Sequence, residues 1–166
     1  MAFDGQEIDM GHNVQAFIGK KETLNRINEK YQKSKPVPLT QGLYLLPLLE
    51  EFYDAIPEET DARFPENDDF LFFSRKIGKL LLDYSDEIGL VYFETEYFGG
   101  EGSQGAVLAR SGKIIFGPEY RYHSINLALR EIGVDKKAER DEFDALGLHR
   151  YRDNEDWIDQ PKYKEL

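Results

Sequence analysis

The sequence predicts an α+β fold: a mainly antiparallel sheet with helices packed on one face, a single-layer α/β sandwich. Three observations carry this. Residues 89–116 hold three β-patterned segments in succession, the last two joined by the turn pair Ser111-Gly112, which marks an antiparallel hairpin. Apolar residues recur at helical spacing in three other stretches, over 21–33, 70–84 and 124–132. The signals run roughly β-α-β/α-α-β-β-β-α-α, not the strict alternation that builds a parallel sheet.

Each element has its own reason. Residues 1–11 (MAFDGQEIDMG) are polar and acidic and read as a disordered lead-in, so that 12–166 forms one domain. His12 to Ile18 alternates Val14, Ala16 and Ile18 and reads as a short strand. Lys21 to Lys33 places Leu24, Ile27 and Tyr31 on one helical face, and Pro36 ends the helix by excluding its predecessor from helical geometry. In 37–49, Pro38 and Pro47 argue against a central strand or a continuous helix. The reading is an extended segment over Gln41 to Leu46, then a short helix from Pro47 to Ala55 with proline in its first turn.

Ile56 to Asp69 is acidic, contains two prolines and reads as a surface loop. Phe70, Phe73, Ile77, Leu80, Leu81 and Tyr84 predict a helix that Asp68 or Asp69 caps, with Gly78 allowing close approach to the sheet. The three strands are expected at Gly89 to Phe98, Gly105 to Arg110 and Lys113 to Phe116. A polar loop of Gly99, Gly100, Glu101, Gly102, Ser103, Gln104 and Gly105 separates the first two. Ser124 caps a helix through Ile132 that stops at Gly133. Asp135 to Ala145 holds another helix with Gly147 past its end, and Asn154 to Ile158 a last turn with Trp157 as a core plug or tail anchor.

Composition narrows the partner. The chain has 32 acidic and 21 basic residues, a net charge of −11 over 166 residues. Phosphate binding draws on a surplus of Lys and Arg, so nucleic acid and anionic membrane surfaces are excluded as direct partners. The same charge steers a basic protein partner inward, and it also serves solubility. The absence of cysteine excludes disulfides, thiolate catalysis and cysteine-based zinc sites. The longest apolar run, Leu43 to Leu49, is far too short to span a membrane and is broken by Pro47. The expected location is the cytoplasm.

Chemistry-bearing residues concentrate between 94 and 104. Glu94 and Glu96 stand two apart on one strand and so share a face. With Glu101 they are candidates for a hard cation, for acid–base work, for pairing with Arg or Lys of a partner, or for a solvated sheet face; partner recognition is preferred over catalysis. No catalytic residue, metal ligand or cofactor is assigned. The glycine loop has no Gly-Lys-Ser/Thr ending and no following helix, so it is no phosphate cradle. His12, His123 and His149 lack helical zinc spacing, and no Gly-x-Ser-x-Gly elbow is present.

The segment YFETEYFGGEGSQGA, preceded by an amphipathic helix and followed by a short hairpin and a helix, resembles small bacterial immunity proteins that accompany polymorphic or contact-dependent toxins. The resemblance covers roughly residues 70–133. It implies a small, acidic, cysteine-poor, cytoplasmic inhibitor that occludes a basic toxin domain. Glu94, Glu96 and Glu101 are then the candidate toxin-facing groups, with Tyr97, Ser103 and Gln104 as further contacts. Two alternatives stay open. One is a small hydrolase-like enzyme pairing Glu94 or Glu96 with His123. The other is a regulatory subunit exposing an apolar patch over Leu43 to Leu49.

Overall fold

The computed structural model describes residues 11–31, 34–98 and 101–158, with 97–98 and 101–102 described through their backbone only. The expected lead-in over 1–10 and the loop residues Gly99 and Gly100 therefore lie outside the described residues. Among the described residues, six strands form one sheet: β1 (Gln15–Gly19), β2 (Val37–Pro38), β3 (Tyr44–Pro47), β4 (Leu90–Phe98), β5 (Glu101–Arg110) and β6 (Lys113–Tyr120). Their spatial order is β2-β3-β1-β4-β5-β6, and every pair is antiparallel. The helices are α1 (Lys21–Tyr31), α2 (Glu50–Ala55), α3 (Arg75–Tyr84), α4 (Ser124–Glu131) and α5 (Glu142–Leu146), followed by a 3-10 turn over Leu148–Arg150 and a helical turn over 154–158.

The α+β class and the antiparallel sheet stand as expected, but the helices divide between both faces. Neighbouring residues of a strand point to opposite sides. Ala16, Ile18, Val91, Phe93, Ala106 and Leu108 pack under α4, α5 and Trp157. Phe17, Leu46, Leu90, Tyr92, Val107 and Ala109 pack under α1, α2 and α3. The one-face expectation fails because the central strands are apolar on both sides; Leu90 to Phe93 and Ala106 to Ala109 are fully buried. Such runs need cover above and below.

Several boundaries move for physical reasons. Pro47 ends β3 opposite Ala16 and does not open α2. Val37–Pro38 is a further short strand at the sheet edge, where proline's missing N–H costs nothing. A turn with left-handed Gln41 (φ 59°) and Gly42 (φ 78°) returns the chain from it into β3. The hairpin at Ser111 (φ 50°) and Gly112 (φ 79°) has both central residues left-handed, which matches the twist of β5 and β6. Residues 101–104 belong to β5 and not to a loop, and β6 runs on to Tyr120. Ser124 is the first residue of α4, not its cap; its Oγ accepts from Arg121 N at 3.0 Å. Helix α5 starts only at Glu142, where the Asp141 carboxylate accepts from Asp144 N at 2.9 Å. Trp157 is a core plug with no exposed surface.

Candidate functional site

The largest departure from sequence expectation positions the site. Phe70 to Phe73 do not extend α3, which begins at Arg75. The carboxylate of Glu94, only 1% exposed, takes the backbone of these residues instead. Its Oε1 accepts from Leu71 N at 2.7 Å, and its Oε2 accepts from Phe72 N and Phe73 N at 2.8 Å each. The Tyr92 hydroxyl donates to Oε2 at 2.7 Å. Burial, then the Glu94 charge, pushes the Tyr92 hydroxyl well above the ordinary tyrosine range.

The turn so held points its side chains two ways. Phe70 and Phe73 turn inward, their rings 5.2 Å apart, and Phe70 meets Tyr120 edge-on at 5.2 Å. Gly105, opposite Glu94 in the sheet, has room for no side chain: a Cβ there would lie 2.6 Å from the Phe70 ring. Leu71 and Phe72 turn outward and are 52% and 40% exposed. Two adjacent large apolar side chains are thus presented to water on a backbone fixed by three hydrogen bonds.

Beside this ridge lies a cleft of about 530 Å³ at the end of the sheet where β1 begins and β3 ends. Its floor is Gln15, Leu48 and Asn154. The Asn154 Oδ1 accepts from Gln15 N at 3.1 Å, and its Nδ2 donates to Leu48 O at 2.9 Å, which fixes the floor. Tyr53 and Phe72 form an aromatic wall with ring centroids 5.7 Å apart. The ammonium of Lys76, buried, lies 3.8 Å from the Tyr53 ring centre and donates to Glu58 at 2.9 Å, so its charge is matched. Glu50, Asp54, Asp153 and Glu155 also line the cleft, and among the described residues no Lys or Arg does. Asp153 accepts from Asp156 N at 2.8 Å. Among the described residues, none of these four carboxylates is in an ion pair.

The residues expected from sequence are scattered by comparison. Glu94 does not face a partner, because it is buried and its oxygens are occupied by four donors. Gln104 is buried too; its Oε1 accepts from Ile125 N at 2.8 Å and satisfies the start of α4. Glu96 and Ser103 are exposed and directly paired across β4 and β5, and Ser103 also hydrogen-bonds Tyr120. The side chains of Tyr97 and Glu101 lie outside the described residues. Among the described residues, no three His, Asp or Glu side chains gather closely enough to hold one metal ion.

The pairing needed by the hydrolase alternative does not form through Glu94. His123 is exposed at the start of α4, its ring tilted 45° against Tyr122 with centroids 4.0 Å apart, while the Glu94 oxygens are taken up by residues 71–73 and Tyr92. The apolar patch expected for a subunit over Leu43 to Leu49 does not form: Leu43, Leu45, Leu46 and Leu48 are buried, and only Tyr44 and Leu49 are half-buried. The ridge was nevertheless signalled in sequence. Phe70-Leu71-Phe72-Phe73 is four apolar residues in a row, and an amphipathic helix has only one face to bury them. The acidic cleft had no such signal, since it joins residues 13–15, 48–54, 72 and 153–155.

No known protein family, curated protein or solved structure matches this chain, so its site is read from its own geometry.

Proposed function

We propose that this chain is a non-enzymatic, cytoplasmic binding protein of the immunity type, which inhibits a basic bacterial toxin domain by covering it. The observation that carries this reading is the pairing of an exposed Leu71–Phe72 ridge with a cleft that holds four carboxylates and, among the described residues, no Lys or Arg. Interfaces commonly combine apolar anchors of this kind with a polar, charged rim. The net charge of −11 speeds encounter with a basic partner, and the apolar contact slows its departure. Inhibition then needs no chemistry, only occlusion of the toxin's own cleft.

Co-expression with the product of the adjacent gene, above all any basic C-terminal toxin-like domain, tests the reading. A tight, salt-sensitive complex that restores growth supports it. Absence of both a complex and rescue overturns it for that partner.

A further inference from the structure

We infer that the cleft is the subsite for an arginine side chain of the partner, with an apolar neighbour of that arginine lying on Leu71 and Phe72. The inference rests on the reading of the chain as a binder of a basic protein. It adds a place and a chemistry, and it moves the binding face away from the Glu94–Glu96 strand.

Two independent features point to this occupant. The first is charge: Glu50, Asp54 and Glu155 are exposed carboxylates at the cleft, without an ion-pair partner among the described residues. They do not gather as a metal site would. A cleft of about 530 Å³ edged by spread carboxylates suits an extended organic cation better than a small ion. The second is the ridge. A buried carboxylate fixes the backbone that holds Leu71 and Phe72 in water. The parts of Leu71 and Phe72 left in water add nothing to folding, whereas a partner would bury them.

Arginine is favoured over lysine by the aromatic wall. A guanidinium is planar, weakly hydrated and able to stack on an aromatic wall such as Tyr53 and Phe72, and its five N–H donors suit the carboxylates at the cleft edge. An ammonium is a compact, strongly hydrated charge and uses such a wall less well.

The test is an amide NMR titration of the full chain with a blocked Arg-Leu dipeptide, against the same dipeptide with citrulline, which keeps the shape and removes the charge. The expected result is saturable shifts confined to residues 13–15, 48–54, 71–73 and 153–155. Replacing arginine by citrulline should weaken binding by about tenfold. Asp54→Asn with Glu155→Gln, and separately Phe72→Ser, should each weaken it by about fivefold, with the rest of the spectrum unchanged. Shifts spread over the whole acidic surface, shifts centred on Glu96 and Ser103, or equal binding of the citrulline peptide would overturn the inference. Growth rescue separates the two levels. Rescue untouched by the cleft variants overturns the subsite and leaves the immunity reading standing. Selective dipeptide binding without any rescue overturns the immunity reading and leaves the subsite.

Discussion

The Tyr92 hydroxyl and the Glu94 carboxylate meet at 2.7 Å on the inner face of β4, two residues apart in sequence and both fully enclosed. Residues i and i+2 of a strand share a face, so the pair is set by the strand itself. What the pair holds is not the strand but the turn over it. Deleting the carboxylate leaves three backbone N–H groups and a hydroxyl without an acceptor. Glu94→Ala should therefore destabilise the protein by more than about 3 kcal/mol, and Tyr92→Phe by about 1 kcal/mol, in urea unfolding. A small effect of Glu94→Ala would mean that the turn is held by its phenylalanines.

Gly105 is predicted to be intolerant of even a methyl group. Its neighbours are the Phe70 and Tyr120 rings, both packed and neither free to yield cheaply. Gly105→Ala should cost about 1–3 kcal/mol by overpacking. It should also shift the amide resonances of residues 71–73, whose backbone follows Phe70.

Stability should fall between neutral pH and the range where carboxylates titrate, because of His12. Thr95 Oγ1 accepts from Val14 N at 3.0 Å and sits 2.6 Å from His12 Nδ1, while Nε2 lies 3.1 Å from Leu148 O. A neutral ring satisfies both contacts if Nε2 donates to Leu148 O and Nδ1 accepts from Thr95. Burial first, then the charges of Arg152 and His149, hold the His12 imidazole below its ordinary 6.5. The unfolded chain thus takes up this proton before the folded one does. The stabilisation is complete above pH 6.5 and is lost as pH falls through the lower, folded value. Urea midpoints measured from about pH 7.5 to about pH 5.5 should decline, and His12→Gln should flatten the decline. An unchanged slope in that variant would assign the effect to other groups.

Charge reversal should separate the two acidic surfaces. Glu96 is exposed, so Glu96→Lys should change stability by less than about 0.5 kcal/mol. Under the cleft assignment it should also weaken the partner complex only slightly, through long-range charge, with most of its salt dependence kept. Asp54→Lys with Glu155→Lys should weaken the complex by more than about tenfold and flatten its salt dependence. Calorimetry at two salt concentrations reads both. The reverse pattern would restore the Glu96–Ser103 strand as the binding face.

The sequence made the sheet legible where alternation and turn chemistry agreed, as from Leu90 to Tyr120. It misled where one local signal had a distant competitor. Helical spacing from Phe70 onward was real, but Glu94, more than twenty residues later, takes the backbone that spacing alone assigned to a helix. Glu94 itself looked like half of a solvated pair with Glu96, since nothing local tells a buried carboxylate from an exposed one. Burial on both faces was present in the unbroken apolar runs of β4 and β5, and it outweighed the polar alternation at the strand end. The cleft could not be read at all, because its walls come from four separated stretches of chain.

That assembly has a consequence for timing. Asn154 binds Gln15 and Leu48 across 139 and 106 residues, and Asn13 N donates to Arg152 O at 2.7 Å. Strand β1 and the helical turn over 154–158 are stitched together, and the cleft lies along the seam. During synthesis the carboxylates of Glu50 and Asp54 leave the ribosome about a hundred residues before Asp153 and Glu155, at some 5–20 residues per second. A nascent or truncated chain has half a cleft. Only a molecule translated through the helical turn over 154–158 presents the whole one.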